Sequence, residues 1–223
     1  MSLARILVLA DSAFPTGAFG HSFGLETAIV EGRAGNAKSV QAWISAFLFD
    51  GLATLDAAAF VLALRDGVDI LRLDELVSTA IVADEVRAAN GQLARATLGA
   101  YGAMGLSSSE IERYRTALEE AGAHGVHSLA CGLGYVAAEI SWRDGLRAYL
   151  STTVSALVSV AVRAIPIGQR AGLDTLWQLR SLIENAAQRA ESITSTNDLR
   201  TQAFECEIDA MRHALLPGRM FVS

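Results

Sequence analysis

Three prolines in 223 residues, Pro15, Pro166 and Pro217, leave most of the chain free of the one residue that cannot continue a helix. Alanine and leucine fill the long intervals between them, apolar residues recur at helical spacing, and glycines mark the breaks. No stretch sustains the apolar–polar alternation of a strand. Residues 1–223 therefore read as one all-α domain, a single-domain bundle of about ten helices, with 215–223 as a flexible C-terminal tail. No internal repeat of fixed period is present.

The helices can be placed by their punctuation. The first apolar segment, 3–10, stops at a loop in which Pro15 and Gly17 stand among turn-forming residues. A helix over 22–31 ends at Gly32, and the next starts near Ser39 as its N-cap, with Trp43, Phe47 and Leu48 on one face. Segments 56–64, 69–82 and 84–104 follow. Ser107 to Glu112 offer two overlapping capping boxes, a hydroxyl with a glutamate three residues on. The stretch 126–139 is rich in small residues, which let another element approach closely. Ser141 and Asp144 cap a long apolar helix that Pro166 and Gly168 break. Helices over 174–192 and 198–213 complete the set.

Hydrophobic residues make up 52% of the chain and charged residues 19%, so a monomer has too little polar surface to cover itself. That predicts a large core together with apolar surface covered by partners. The net charge is −6 and no stretch is densely basic, which argues against nucleic acid. Cys131 and Cys206 lie far apart and form no metal or disulfide pattern, consistent with a reducing compartment. The apolar run 148–162 is shorter than a span and dotted with Ser and Thr, and residues 1–10 lack a secretory pattern. The expectation is a cytoplasmic protein with no membrane segment.

Several residue groups invite a chemical reading. Asp11, Ser12 and His21 are triad residue types, but they sit close in sequence and no nucleophile elbow exists, so capping of the loop is the simpler role. His124 and His127 are three apart and would share a helix face, yet two imidazoles do not close a metal site. Gly17, Gly20 and Gly24 lack the following Gly-Lys-Ser/Thr of a phosphate loop. Arg163 ends an otherwise uncharged run, as a buried ion-pair partner or, as the better reading, bound to the helix's last carbonyls. Phe14, Phe19 and Phe23 crowd one Pro/Gly turn and form either a core plug or a contact surface. The tail, with Arg219 and Phe221, is a frayed end or a partner anchor. No catalytic set emerges, and no residue is assigned to a metal or cofactor.

Two of these segments carry a family resemblance. Asp11-Ser12-Ala13-Phe14-Pro15-Thr16-Gly17-Ala18-Phe19 followed by His21-Ser22-Phe23-Gly24-Leu25-Glu26 resembles the N-terminal signature of UreF proteins. Arg163, Pro166, Ile167, Gly168 and Gln169 resemble their central motif. Glu85-x-Arg87, His213 and the tail Arg219-x-Phe221-x-Ser223 stand in the expected order, although Pro217-Gly218 replaces the usual small hydroxyl residue before Arg219. The resemblance implies a dimeric, all-helical urease accessory protein that is not an enzyme. Such a protein bridges a UreD/UreH-type accessory protein and the GTPase UreG on apo-urease, so that nickel enters the metallocentre. It implies that Asp11, Phe14, Pro15, Gly17, His21, Gly24, Glu26, Arg219 and Phe221 face a partner, the tail ordering when UreD binds. It also gives Arg163, Pro166, Gly168 and Gln169 a structural or dimer role. GTP belongs to the partner, and nickel passes through or near the chain as cargo. Two alternatives remain open: a GTPase regulator that supplies an arginine to UreG, and a nickel carrier acting through His21, His124 and His127.

Overall fold

The structure is a computed structural model that describes residues 2–65 and 67–222; Ser223, the last residue of the tail motif, lies outside them. Eleven α-helices occur among the described residues: α1 Ser2–Leu9, α2 Leu25–Val30, α3 Ala37–Ala46, α4 Asp56–Ala63, α5 Ile70–Ala80, α6 Asp84–Ala103, α7 Ser109–Glu119, α8 His127–Ala137, α9 Trp142–Ala164, α10 Gly168–Ser192 and α11 Phe204–His213. Helices α3 and α4 are joined by a π-helical stretch, Phe47–Leu52, and two 3-10 turns occupy Ala18–Gly20 and Thr196–Asp198. No named strand occurs among the described residues, so the chain is all-α as its pattern predicts; one isolated parallel bridge pairs His21 with Val222.

The helix starts follow local chemistry. Asn36, not Ser39, is the N-cap of α3: its side chain accepts the Ser39 N–H at 3.0 Å while the Ser39 hydroxyl accepts the Asn36 N–H at 3.1 Å. Asp69, Ser108 and Ser141 cap α5, α7 and α9 through their side chains. The π-helical stretch leaves carbonyls out of register, and the 200–202 segment takes them up: Gln202 N–H donates to Asp50 O at 2.8 Å and Arg200 N–H to Thr54 O at 3.2 Å.

The hexapeptide Ala57 to Leu62 of α4 is buried on every side, and α8 and α9 pack against it. The small residues of α8 serve that packing as expected, but against aromatic rings. A Cβ on Gly134 would stand 2.0 Å from the Tyr101 ring of α6. Helix α9 buries Leu146, Leu150, Val154, Leu157 and Ala161, a stripe at helical spacing, and α10 folds back along it. Among the described residues two helical stretches, Ala37–Ala63 and Trp142–Ala164, are long and apolar enough to cross a membrane by length and composition alone, and over half of the apolar 18-residue window in each is buried in the bundle.

The structure corrects three expectations. Helix α10 starts at Gly168, immediately after Pro166, not at 174, because proline and a positive-φ glycine break α9 without preventing a new first turn. Helix α11 starts at Phe204, since 196–203 is spent on a 3-10 turn and on the π-helical carbonyls. The tail 215–222 is irregular as expected, yet it is tied to the bundle, as the next section describes.

Candidate functional site at the signature loop and tail

The loop after α1 is built from short-range devices. The Asp11 carboxylate accepts the Ala13 N–H at 2.7 Å, Pro15 is exposed at the turn, and Gly17 takes φ 79° to begin the 3-10 turn. Phe14 turns inward and sets its ring against Tyr101 with centroids 5.7 Å apart. Phe23 stacks on Phe47 at 5.7 Å, and Phe47 on Trp43 at 5.5 Å. Phe14 and Phe23 are half-buried and pack against the core, each leaving part of its ring accessible. Gly24 is needed twice over: its φ is 94°, and a Cβ there would lie 2.5 Å from the Ala210 backbone nitrogen, where α11 crosses α2.

Helix α11 buries Ala203, Cys206, Asp209, Ala210 and His213, one face at three- and four-residue spacing. The tail then runs beside the signature loop. Ser22 N–H donates to Val222 O at 2.7 Å and Val222 N–H to Gly20 O at 2.8 Å, which makes the His21–Val222 bridge. Beneath it lies the buried carboxylate of Glu26. It accepts the Met220 N–H at 2.6 Å, the Phe221 N–H at 3.1 Å and the His213 Nε2 hydrogen at 2.9 Å. The other ring nitrogen of His213, Nδ1, lies 2.9 Å from Glu85 of α6, and Arg219 pairs with the same carboxylate. The buried His213 ring thus bridges the two carboxyl groups, one through each nitrogen, and Arg219 brings a guanidinium to the Glu85 side of the cluster. The His213 hydrogen bond, with Arg219 in support and partial burial opposing, holds the Glu85 carboxyl below the usual carboxylate range.

Arg163 closes the group. Its Nε donates to Ser159 O at 3.2 Å, the helix-carbonyl role expected of it, and its Nη2 reaches Phe19 O. Its guanidinium also lies 4.5 Å from the centre of the buried Phe221 ring. The signature residues, Arg163 and the tail thus converge on one place. The rest of the central motif does not: Pro166, Gly168 and Gln169 form an exposed corner between α9 and α10. His124 and His127 do not share a face either. The His124 N–H caps Asp74 from a loop at 2.7 Å, whereas His127 begins α8 and lies against Cys131, Nε2 to Sγ 3.3 Å. Among the described residues no group of three His, Cys, Asp or Glu is placed to hold a metal ion.

The tail's register sends Phe221 inward and leaves Met220 and Val222 exposed. The outer face of α11 continues this surface with Phe204, Ile208, Met211 and Leu215, all exposed and spaced as one stripe.

Comparison with known proteins decides what kind of chain this is. The family model for UreF matches residues 34–180. A urease accessory protein UreF from Paenarthrobacter aurescens (strain TC1) is 35% identical over 215 residues, covering 96% of this chain and 95% of that protein. Urease accessory proteins UreF from Corynebacterium glutamicum (strain R) and Bacillus sp. (strain TB-90) are 33% and 30% identical, with 96% and 99% of their lengths covered. The chain belongs to the UreF family.

A role in urease maturation follows for this UreF-family chain, as a urease accessory protein. The family model stops short of both the signature loop and the tail, whereas the alignment with the Bacillus sp. relative takes in 99% of this chain. In the sequence Glu85 and His213 merely stand in family order, and it is geometry that makes them the hub of the site. They lie 128 residues apart, and no local pattern could have paired them.

Proposed function

We propose that this UreF-family protein is a cytoplasmic, homodimeric scaffold that holds a UreD/UreH-type protein and the GTPase UreG on apo-urease while nickel is inserted. The observation that carries this reading is the exposed apolar stripe of α11 running into the tail, beside the signature loop. A surface of that size and composition is disfavoured in water and gains by being covered. The tail clamp gives it a fixed shape, so binding does not have to order it first. In this reading Asp11, Phe14, Pro15, Gly17 and His21 of the loop, with Arg219, belong to the same partner-facing region, and Gly24, Glu26 and Phe221 support it from beneath. Pro166, Gly168 and Gln169 lie elsewhere and are offered as part of the dimer contact.

The stricter reading, an arginine delivered into the active site of UreG, asks Arg163 or Arg219 to abandon the contacts described above, and nothing favours it. Leu215→Asp combined with Met220→Asp tests the scaffold. Both side chains are exposed, so helical content and melting temperature should hold, while co-purification with a UreD-type partner should be lost. Undiminished capture by the double variant would overturn the assignment of this face.

A further inference from the structure

A cavity of about 130 Å³ lies beneath the signature loop, lined by α4, α6, α8 and α9 together with the π-helical stretch and the inner face of α11. It reaches the surface at Asp11 and Val82, which are exposed wall residues. Its inner wall has an unusual composition. Tyr101, Tyr135, Tyr149 and Phe14 supply aromatic faces, and Asp56 at the start of α4 supplies a carboxylate. Asp11 and Glu207 add two more acids, and among the described residues no lysine or arginine lines the cavity.

Asp56 is the group the fold leaves without a counter-charge. Its accessible surface opens into this cavity, and its side-chain partner is the Asn90 amide. Asn90 cannot turn to improve the contact, because its Oδ1 accepts the His127 N–H at 2.6 Å. Burial pushes the Asp56 carboxyl up to about 6, the mark of a desolvated anion. His127 offers no compensating charge, since burial holds it down to about 4. Tyr149 and Thr153 line the same cavity, and the Thr153 hydroxyl donates to the Tyr149 carbonyl at 3.0 Å.

We propose that this cavity binds a small monovalent cation of the ammonium class, with the Asp56 carboxylate as its counter-ion and the tyrosine faces as its walls. One carboxylate balances one charge. Neutral oxygens and aromatic faces suit a weakly hydrated cation, which loses little on leaving water and is attracted to ring faces. A transition metal is disfavoured by the same wall: its two cysteines, Cys131 and Cys206, are both pushed up to about 12 by burial and stay protonated, and His127 lies against the Cys131 thiol. The site is separate from the outer face of α11 and stands or falls independently of the scaffold reading.

The test is calorimetric titration of the whole chain with ammonium, methylammonium and potassium chlorides at constant ionic strength set by sodium. Saturable binding of ammonium or methylammonium is expected, weakened about tenfold or more in Asp56→Asn. Tyr149→Phe, which keeps the ring and removes the hydroxyl, should weaken ammonium binding and spare methylammonium. Absence of saturable heat for all three cations in the unaltered protein would overturn the proposal without reference to any variant. So would binding that Asp56→Asn leaves unchanged, or nickel chloride displacing ammonium at lower concentration with the same dependence on Asp56.

Discussion

Glu26 has three donors to satisfy and a charge to balance, all inside the protein. Replacing it by glutamine keeps the shape but turns one acceptor into a donor, facing the Met220 and Phe221 amides or the His213 ring. Leaving a buried donor without its acceptor costs its desolvation penalty, so Glu26→Gln should cost about 3 kcal/mol in urea unfolding. The Met220 and Phe221 amides should also lose protection from hydrogen exchange, because their acceptor weakens. A variant as stable as the parent, with both amides still protected, would refute the clamp. Gly24 shows how a single residue can be legible for one reason and matter for another. A glycine before a helix reads as a turn, but its closest demand comes from Ala210, far along the chain.

At the scale of elements, α4 and α8 begin with opposed titrations. His127 is held at about 4 against an ordinary 6.5, so the folded chain binds fewer protons than the unfolded one. Stability present above pH 6.5 is lost as pH falls toward 4. Asp56 is raised to about 6 from 3.8, so the folded chain binds more protons, and a penalty present above pH 6 is relieved as pH falls toward 4. The two slopes oppose each other between pH 4 and 6. Asp56→Asn should leave the His127 slope unopposed and steepen acid destabilisation by up to about 1.4 kcal/mol per pH unit, read from urea midpoints across that range. An unchanged slope would mean that Asp56 titrates as an ordinary surface acid. The helices themselves were legible because their caps and periodicity are local: Asp69, Ser108 and Ser141 cap where hydroxyls and carboxylates precede apolar runs. The starts of α10 and α11 were not legible. Gly168 at a helix start looks like a breaker, and residues 199–203 are extended only because a distant π-helical stretch needs their N–H groups.

For the whole molecule, the all-helical bundle followed from proline scarcity and periodicity, whereas the site did not. Its members were read as separate segments because charge pairing across the bundle leaves no trace in spacing. The tail illustrates the difference. Its composition resembles a loose end, yet Glu26 and Arg163 supply a socket that no tail residue reveals. Deleting residues 217–223 should therefore do more than remove a contact surface. It should lower the melting temperature, since Phe221 leaves a buried position and Glu26 loses two donors, while most helical ellipticity remains. A truncated chain that melts with the parent would show that the socket contributes nothing to the fold.

The hydrogen bond from Phe221 to Glu26 spans 195 residues of sequence. During synthesis, the buried acid therefore waits beneath an unfinished lid until nearly every other helix has been made. A copy cut short by a nonsense codon or by a protease after α10 would retain many of its helices but show an uncovered carboxylate and an empty aromatic seat where the finished surface belongs. The presence of the tail is thus written into the shape of that surface, and only copies that carry it can present it.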